Sequence, residues 1–379
     1  MKTTGIITYH HYYNYGTMLQ ALALQEKVEQ LGYRAELIDF KQDNTLSKYE
    51  MFILRIKRMP VYLKERKKYQ VLADSRKRIR EKNQLFEQFY KSYLHVGKMK
   101  YTTTQQLMEN PPVYDCYVVG SDQTWNPFVA NSPEAFFLPF VKDNSKKGSY
   151  GPSLAVRTLS DKKEIEYRNK LSSFSFLSCR EQDGAQLLSC ITQKEVKCVL
   201  DPTLLLSAKE WGRYCEYVIP KEPYILVYFL GEKTEHRRAV EKIQEFTKWK
   251  VVCLPAAYLE MGNNDYEKVW GGPKEFLSLI RGAALVCTDS FHGTMFSINF
   301  QRNFFSFCKN SDSEESSENS RLYSALNIFG LSNRLINNTD NLTAEDISID
   351  YKNVIPILEE QRRLSIEYLE NMLSEMTKG

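Results

Sequence analysis

The sequence predicts an α/β protein of two domains facing a cleft. Three observations lead there. At 379 residues, the chain is long for one ordinary domain, which runs roughly 100 to 200 residues. Short β-rich runs alternate with segments of helical period, the pattern of a parallel sheet covered by helices. The alternation pauses near Tyr217 to Pro223, where Pro220 and Pro223 bracket two charges, and then resumes. With 42% hydrophobic and 26% charged residues, the chain can bury real cores, which excludes a disordered tail, a collagen, a coiled coil and a disulfide scaffold.

The elements follow in order. Gly5 to Tyr9 reads as a strand, and Asn14-Tyr15-Gly16 as turn chemistry. Met18, Leu19, Leu22, Leu24 and Val28 recur at helical spacing up to the C-cap signal Leu31-Gly32, and Ala35 to Phe40 returns as a strand, completing one βαβ unit. A polar stretch with basic helices spans 50–100. Then come a short helix from Thr102 to Met108 and a buried strand from Tyr114 to Gly120. Strands are expected at Lys147 to Tyr150, Ser175 to Ser178 and Lys197 to Leu200, with helices at Ser160 to Leu171 and Glu181 to Ser189. This domain closes near Asp201-Pro202-Thr203. The second series places strands at Tyr224 to Leu230, Val251 to Leu254, Ala284 to Thr288 and Phe304 to Phe307. Its helices fall near Glu235 to Trp249, Pro273 to Arg281 and Gly293 to Phe300. Residues 309–320 form an acidic, serine-rich run expected to be a mobile loop, and Val354 to Met376 a long amphipathic helix packing back across the lobes. The expected boundaries are 1–216 for the first lobe, 223–345 for the second and 351–377 for the last helix.

Several classes lose weight by what is missing. The N-terminus lacks an export signal, and no run approaches the roughly 20 apolar residues of a membrane span. The eight cysteines are scattered, without C-x-x-C, and read as reduced thiols of a cytoplasmic protein. There is no G-x-G-x-x-G, Walker loop, H-E-x-x-H or Asp-x-Asp pair, so no metal ligand set is expected. The net charge of +4 conceals an asymmetry: residues 55 to 100 hold 15 Lys and Arg against four acids. This stretch reads first as a solvated helical face. Interleaved with Ile56, Met59, Tyr62, Leu63, Val71 and Leu72, it also suits peripheral contact with anionic lipid. It carries no nucleic-acid motif.

Three turns could carry chemistry. Cys287 to Thr294 joins a buried strand to a helix whose N–H groups and dipole favour an anion, with His292 at its mouth. The same histidine could equally be a packing residue, and Asp289 or Ser290 a plain N-cap. Ser178-Cys179-Arg180-Glu181 also closes a strand and opens a helix, and an arginine can offer two parallel N–H groups to a carboxylate or phosphate; the plainer alternative is a surface pair with Glu181. In Gly120 to Trp125, the carboxylate of Asp122, the amide of Gln123 and the indole of Trp125 would suit a sugar. The alternative is an ordinary polar turn with Trp125 packed beneath it.

Taken in order with Asn14-Tyr15-Gly16, Ser149 to Ser153, Val199 to Thr203 and Pro273 to Arg281, these turns resemble the polysaccharide pyruvyl transferase family over roughly residues 5 to 334. Gly151-Pro152-Ser153 departs from the small-residue run of that family. The resemblance implies two Rossmann-like lobes facing a cleft, similar to two-domain (GT-B type) glycosyltransferases. It implies phosphoenolpyruvate as donor substrate, no separate cofactor, and a sugar of a surface polysaccharide precursor as acceptor. By it, Arg180 and His292 contact the donor from the two lobes with Phe291 beside them, and Asp122 serves the acceptor. Ser290, Gly293, Thr294, Arg321, Asn14, Gln123 and Trp125 complete the expected contacts.

The chemistry asks for such residues. Protonation of the donor's methylene carbon makes C2 electrophilic; one sugar hydroxyl adds, phosphate leaves, and a second hydroxyl closes a cyclic ketal. This needs a proton donor, a base and an anion site, but no metal in principle. His292 is assigned to proton donation or phosphate stabilisation and Asp122 to hydroxyl activation. If the acceptor is lipid-linked, the basic helices would hold the enzyme at the inner membrane face. Two alternatives stand beside this reading. One is a nucleotide-sugar-dependent glycosyltransferase, although no acid follows His292 where such enzymes hold the donor ribose. The other is a non-catalytic carbohydrate-binding protein of the same fold.

Overall fold

Strands rich in Ile, Val and Leu that are buried on both faces need helices above and below them, and the computed structural model of the chain is built this way. It describes residues 1–42, 66–129, 134–231, 234–256, 266–309, 319–337 and 342–378, with backbone alone over 66–75. In the first lobe β1 (Thr3–Ile7), β2 (Arg34–Phe40), β3 (Val96–Tyr101), β4 (Cys116–Gly120) and β5 (Lys147–Tyr150) form a sheet of order β3-β2-β1-β4-β5, parallel throughout. A parallel pair, β6 (Leu177–Cys179) and β7 (Val196–Cys198), attaches through a bridge between Gly148 and Phe176. The helices are α1 (Tyr15–Gln30), α2 (Arg66–Tyr93), α3 (Thr104–Glu109), α4 (Asp161–Leu171), α5 (Gln182–Thr192) and the single turn α6 (Ala208–Trp211).

The second lobe repeats the plan. Its strands β8 (Tyr224–Tyr228), β9 (Lys250–Cys253), β10 (Glu267–Lys268), β11 (Leu285–Thr288), β12 (Asn303–Phe307) and β13 (Leu335–Ile336) run parallel in the order β10-β9-β8-β11-β12-β13. They alternate with α7 (Thr234–Thr247), α8 (Pro273–Gly282), α9 (Phe291–Asn299) and α10 (Ser320–Ile328). In both sheets the order reverses beside the first strand, which opens a crevice at the carboxyl ends.

The last helix, α11 (Val354–Met376), touches both lobes. Arg362 donates to the Leu204 carbonyl at 2.6 Å and to Asn299 Oδ1 at 3.2 Å, Ser365 Oγ accepts from Leu200 N–H at 2.9 Å, and the Tyr368 hydroxyl donates to the Ser149 carbonyl at 3.0 Å. A Cβ at Gly148 would lie 2.6 Å from Met372 Sδ, so the helix sits directly on β5.

The structure corrects the sequence reading in several places. Residues 96–101 belong to an edge strand, β3, and not to the basic helical stretch. The elements α6, β10, α10 and β13 were not expected. Gly16 lies inside the first turn of α1, whose N-cap is Asn14, accepting from Thr17 N–H at 3.1 Å. The far half of α2 is a structural strut: Phe86 and Phe89 are buried, and Lys82 donates to the Pro255 carbonyl of the second lobe at 2.9 Å. Residues 310–318 of the acidic run, and the side chains invoked for lipid contact (Ile56, Met59, Tyr62, Leu63, Val71, Leu72), lie outside the described residues. Among those described, no helix is long and apolar enough to cross a membrane.

Candidate functional site

The loops after β1, β4, β8, β11 and β12 meet in the crevice around a cavity of ≈ 300 Å³, at the small end of ligand sites. Tyr9, Tyr12 and Asn14 line it from the first of these loops, Asp122 and Gln123 from the second, and Asp289, Ser290, Phe291 and His292 from the turn into α9. Lys309, Asn319 and Arg321 bring in cationic and amide groups from the far side.

His292 is placed by steric exclusion. A Cβ on Gly16 would come within 2.0 Å of His292 Nδ1, so the first turn of α1 can pack against the imidazole only because residue 16 has no side chain. Nε2 of His292 is buried without a hydrogen-bond partner among the described residues and stands 3.5 Å from Asp201 Oδ2. Asp201 in turn accepts from Arg180 Nη1 at 2.7 Å and from Thr203 N–H and Oγ1. Burial alone would push the Asp201 carboxyl up, but His292 and Arg180 outweigh it and hold the group far below the usual carboxylate range. Arg180 and His292 are thus coupled from opposite lobes through one carboxylate. Asp201 itself was expected as the end of the first domain and within the Val199 to Thr203 motif, with no site role assigned to it.

Arg180 differs from its expectation. Its Nε is 3.2 Å from Glu181 Oε1 and its Nη1 is on Asp201, so a two-pronged presentation to a ligand is closed. Nη2 is buried, without a hydrogen bond among the described residues, 4.0 Å from Asp122 Oδ1. Burial would lower the guanidinium's pKa, yet the three carboxylates raise it, so it stays charged. Arg180 does not line the cavity. It lies against Phe291, with the guanidinium carbon 4.4 Å from that ring's centroid; Arg321 approaches the same ring to 5.8 Å. The departing loop at Gly151 supports this network. Gly151 has φ +60, Pro152 O accepts from Arg180 N–H at 3.3 Å, and Ser153 Oγ hydrogen-bonds Glu181.

Asp122 adopts the left-handed region, φ 59, which carboxylate and amide residues tolerate best among those with a Cβ. One oxygen accepts from Thr17 Oγ1 at 2.8 Å and the other from Gln123 N–H at 2.9 Å. The Tyr9 hydroxyl nearby is buried without a hydrogen-bond partner among the described residues. Asp289 accepts from Leu230 and Gly231 N–H at 2.6 and 2.9 Å, yet burial pushes its pKa up to about 6.

Of the remaining expected contacts, Ser290 is the N-cap, accepting from Gly293 N–H at 3.3 Å, while Thr294 N–H goes to the Ser290 carbonyl. Gly293 and Thr294 therefore support α9 and do not line the cavity. A Cβ at 293 would meet Thr288 Oγ1 at 2.6 Å, and Thr294 Oγ1 bonds Ser306. Trp125 corrects the sugar-stacking expectation. It is fully buried between Phe137 and Phe174, and its indole N–H donates to the Phe136 carbonyl at 3.1 Å. Indole burial beneath a turn is worth more than exposure in an open cleft.

Comparison with known proteins bears on the fold and the family. Among solved structures, Arabidopsis thaliana UGT89C1 complexed with quercetin aligns with TM-score 0.51 at 9% identity, covering 99% of both chains. The S. aureus MnaA–UDP structure aligns with TM-score 0.50 at 11% identity, covering 100% of this chain and 98% of that one. The UDP-GlcNAc 2-epimerase of Methanocaldococcus jannaschii gives 0.47 at 12% identity over 95% and 100%. With the first two of these, the fold is the GT-B type, two Rossmann-like lobes facing a cleft. No curated protein sequence matches the chain. The family model for polysaccharide pyruvyl transferase matches residues 14–308, a span that leaves out, of the cavity lining, Tyr9 and Tyr12 before it and Lys309, Asn319, Arg321 and Leu322 after it. The chain belongs to the polysaccharide pyruvyl transferase family.

Proposed function

We propose that this protein transfers pyruvate from phosphoenolpyruvate onto two hydroxyls of one sugar, forming a cyclic ketal in a surface polysaccharide precursor and releasing phosphate. The observation that carries the reading is the Arg180–Asp201–His292 chain across the lobes, in which Arg180 Nη2 and His292 Nε2 are buried without hydrogen-bond partners among the described residues. A buried polar atom left unpaired costs about 1 to 3 kcal/mol, so a ligand in the cavity that supplies an acceptor to His292 recovers that cost on binding. A small, multiply anionic donor fits a cavity rimmed by Arg321 and Lys309 at the mouth of α9.

In this scheme His292 gives a proton to the methylene carbon of the donor or stabilises the leaving phosphate. Asp201 holds the imidazole, and Arg180, behind the cavity wall, orients Asp201. Asp122 accepts the proton of the attacking sugar hydroxyl, with the Tyr9 hydroxyl as a partner for the acceptor. C2 of the donor gains two C–O bonds to the sugar and loses the one to phosphate. The methylene becomes a methyl group, and the two hydroxyl protons end on that carbon and on phosphate. A lipid-linked acceptor, with the basic segment at the inner membrane face, extends the reading.

Calorimetric titration tests the donor. Phosphoenolpyruvate should bind saturably to the wild type and about 100-fold or more weakly to Arg180→Ala, the usual order for removing a buried charge partner. Binding of nucleotide sugars with none to phosphoenolpyruvate would move the protein to glycosyl transfer.

A further inference from the structure

Behind the cavity wall lies a second polar cluster that the reaction above does not use. His10 and His11 follow β1, and Asp39 is near the end of the adjacent strand β2. One ligand atom from each falls within 4.8 Å of the others. The His10 ring is completely buried. Its Nδ1 lies 2.9 Å from the Thr8 carbonyl, which can only accept, so Nδ1 carries the proton and the Nε2 lone pair is free. That Nε2 is buried with no hydrogen-bond partner among the described residues. A histidine with one nitrogen donating to a backbone carbonyl and the other bare is the arrangement that outer contacts impose on metal-ligating imidazoles. Next to it, His11 Nε2 stands 2.8 Å from Asp39 Oδ1 without an aligned hydrogen bond. The His10 and His11 rings lie 4.0 Å apart, and Tyr90 stacks over His10 from α2.

We propose that His10, His11 and Asp39 bind one divalent transition-metal ion of the zinc class. Two imidazoles and a carboxylate select a borderline ion over magnesium or calcium, which take oxygen donors. Donors about 2.0 to 2.2 Å from one ion lie up to roughly 4 Å apart, so a small rotation of the half-buried His11 ring closes the set. His11 is also the entry side, since its side chain is 16% exposed and that of Asp39 10%. Water would complete the coordination. The ion would tie the loop after β1, which carries Tyr9, Tyr12 and Asn14 to the cavity, onto β2. The alternative is a bare pair between His11 and Asp39, and it leaves His10 Nε2 without a partner among the described residues.

The test uses tag-free, full-length protein stripped with a chelator. Zn²⁺ should bind with one equivalent per chain by calorimetry and metal analysis, and Co²⁺ should give the visible absorption of a protein-bound ion. His11→Ala and Asp39→Asn should each weaken Zn²⁺ binding at least about tenfold while keeping the wild-type circular dichroism. His95→Ala, at an exposed histidine paired with Glu29, should bind as the wild type does. Absence of stoichiometric Zn²⁺ binding, or wild-type affinity in both His11→Ala and Asp39→Asn, would overturn the proposal.

Discussion

Gly16 shows how a single missing side chain sets the geometry of the cleft. Because His292 Nδ1 occupies the space of a Cβ at position 16, Gly16→Ala must push the imidazole or the helix aside, and a displacement of about 1 Å costs roughly 100-fold in rate. Pyruvyl transfer by Gly16→Ala should fall by about that factor in turnover; a variant with full turnover would show that His292 has room to spare. Asp289 makes a second prediction at this scale. Its folded pKa of about 6 lies above the roughly 3.9 of an unfolded aspartate. Between these values the folded state holds a proton that the unfolded state has lost. The stabilising contribution is therefore complete below pH ~4 and lost as pH rises through 6, on the order of 3 kcal/mol in all. Urea unfolding from pH 4 to 7 should show this decline in the wild type relative to Asp289→Asn, and parallel pH profiles for the two proteins would refute it. Position by position, the sequence was informative where a motif coincided with a strand end, as for His292 and Asp122. It named Asp201 in a motif but gave it no role, since its partners are 21 and 91 positions away in the chain, and it misjudged Trp125, whose burial depends on Phe137 and Phe174 closing over it.

Helix α1 carries the first lobe into the second, and its sequence has little amphipathic character for that reason. Its sides are covered by the sheet and by the facing lobe, so residues from Tyr15 to Val28 are buried nearly all round. Tyr15 is the anchor. It stacks on Phe276 at 4.5 Å, meets Tyr228 edge-on at 5.4 Å and donates to the Gly271 carbonyl at 2.6 Å. Tyr15→Phe should cost about 1 kcal/mol for the buried hydrogen bond, and Tyr15→Ala about 3 to 5 kcal/mol for the lost ring. Equal losses in chemical denaturation would mean that the stack contributes little. The same scale explains which elements could be read in advance. Buried strands such as β4 and β11 announce themselves as apolar runs. Strand β3 hides because it is an edge strand whose Lys98, Met99 and Lys100 are exposed, continuing the charge pattern of the helix before it. Strands β10 and β13, two residues each, are too short to show any period.

At the scale of the whole molecule, the two lobes are one folding unit despite two sheets. A single apolar cluster runs from Ile6, Leu22 and Val118 of the first lobe through Tyr15 and Trp211 to Phe276, Val286 and Phe304 of the second, and on to Leu369 and Met372 of α11. The link is also polar, since the Arg362 guanidinium spans the Leu204 carbonyl of the first lobe and Asn299 of the second. GT-B lobes could in principle unfold separately, as domains joined by a small interface do. Here the shared core argues that neither lobe keeps its apolar surface covered alone. Calorimetry should therefore give one cooperative transition for the wild type. Arg362→Ala removes donors from two buried acceptors in different lobes and should lower that single transition by several degrees without splitting it, since about 2 to 3 kcal/mol shifts a chain of this size by only a few degrees. Two resolved transitions in the wild type would mean that the lobes are independent and that α11 is only draped over them. Two transitions in Arg362→Ala alone would place the coupling in that one side chain and not in the common core.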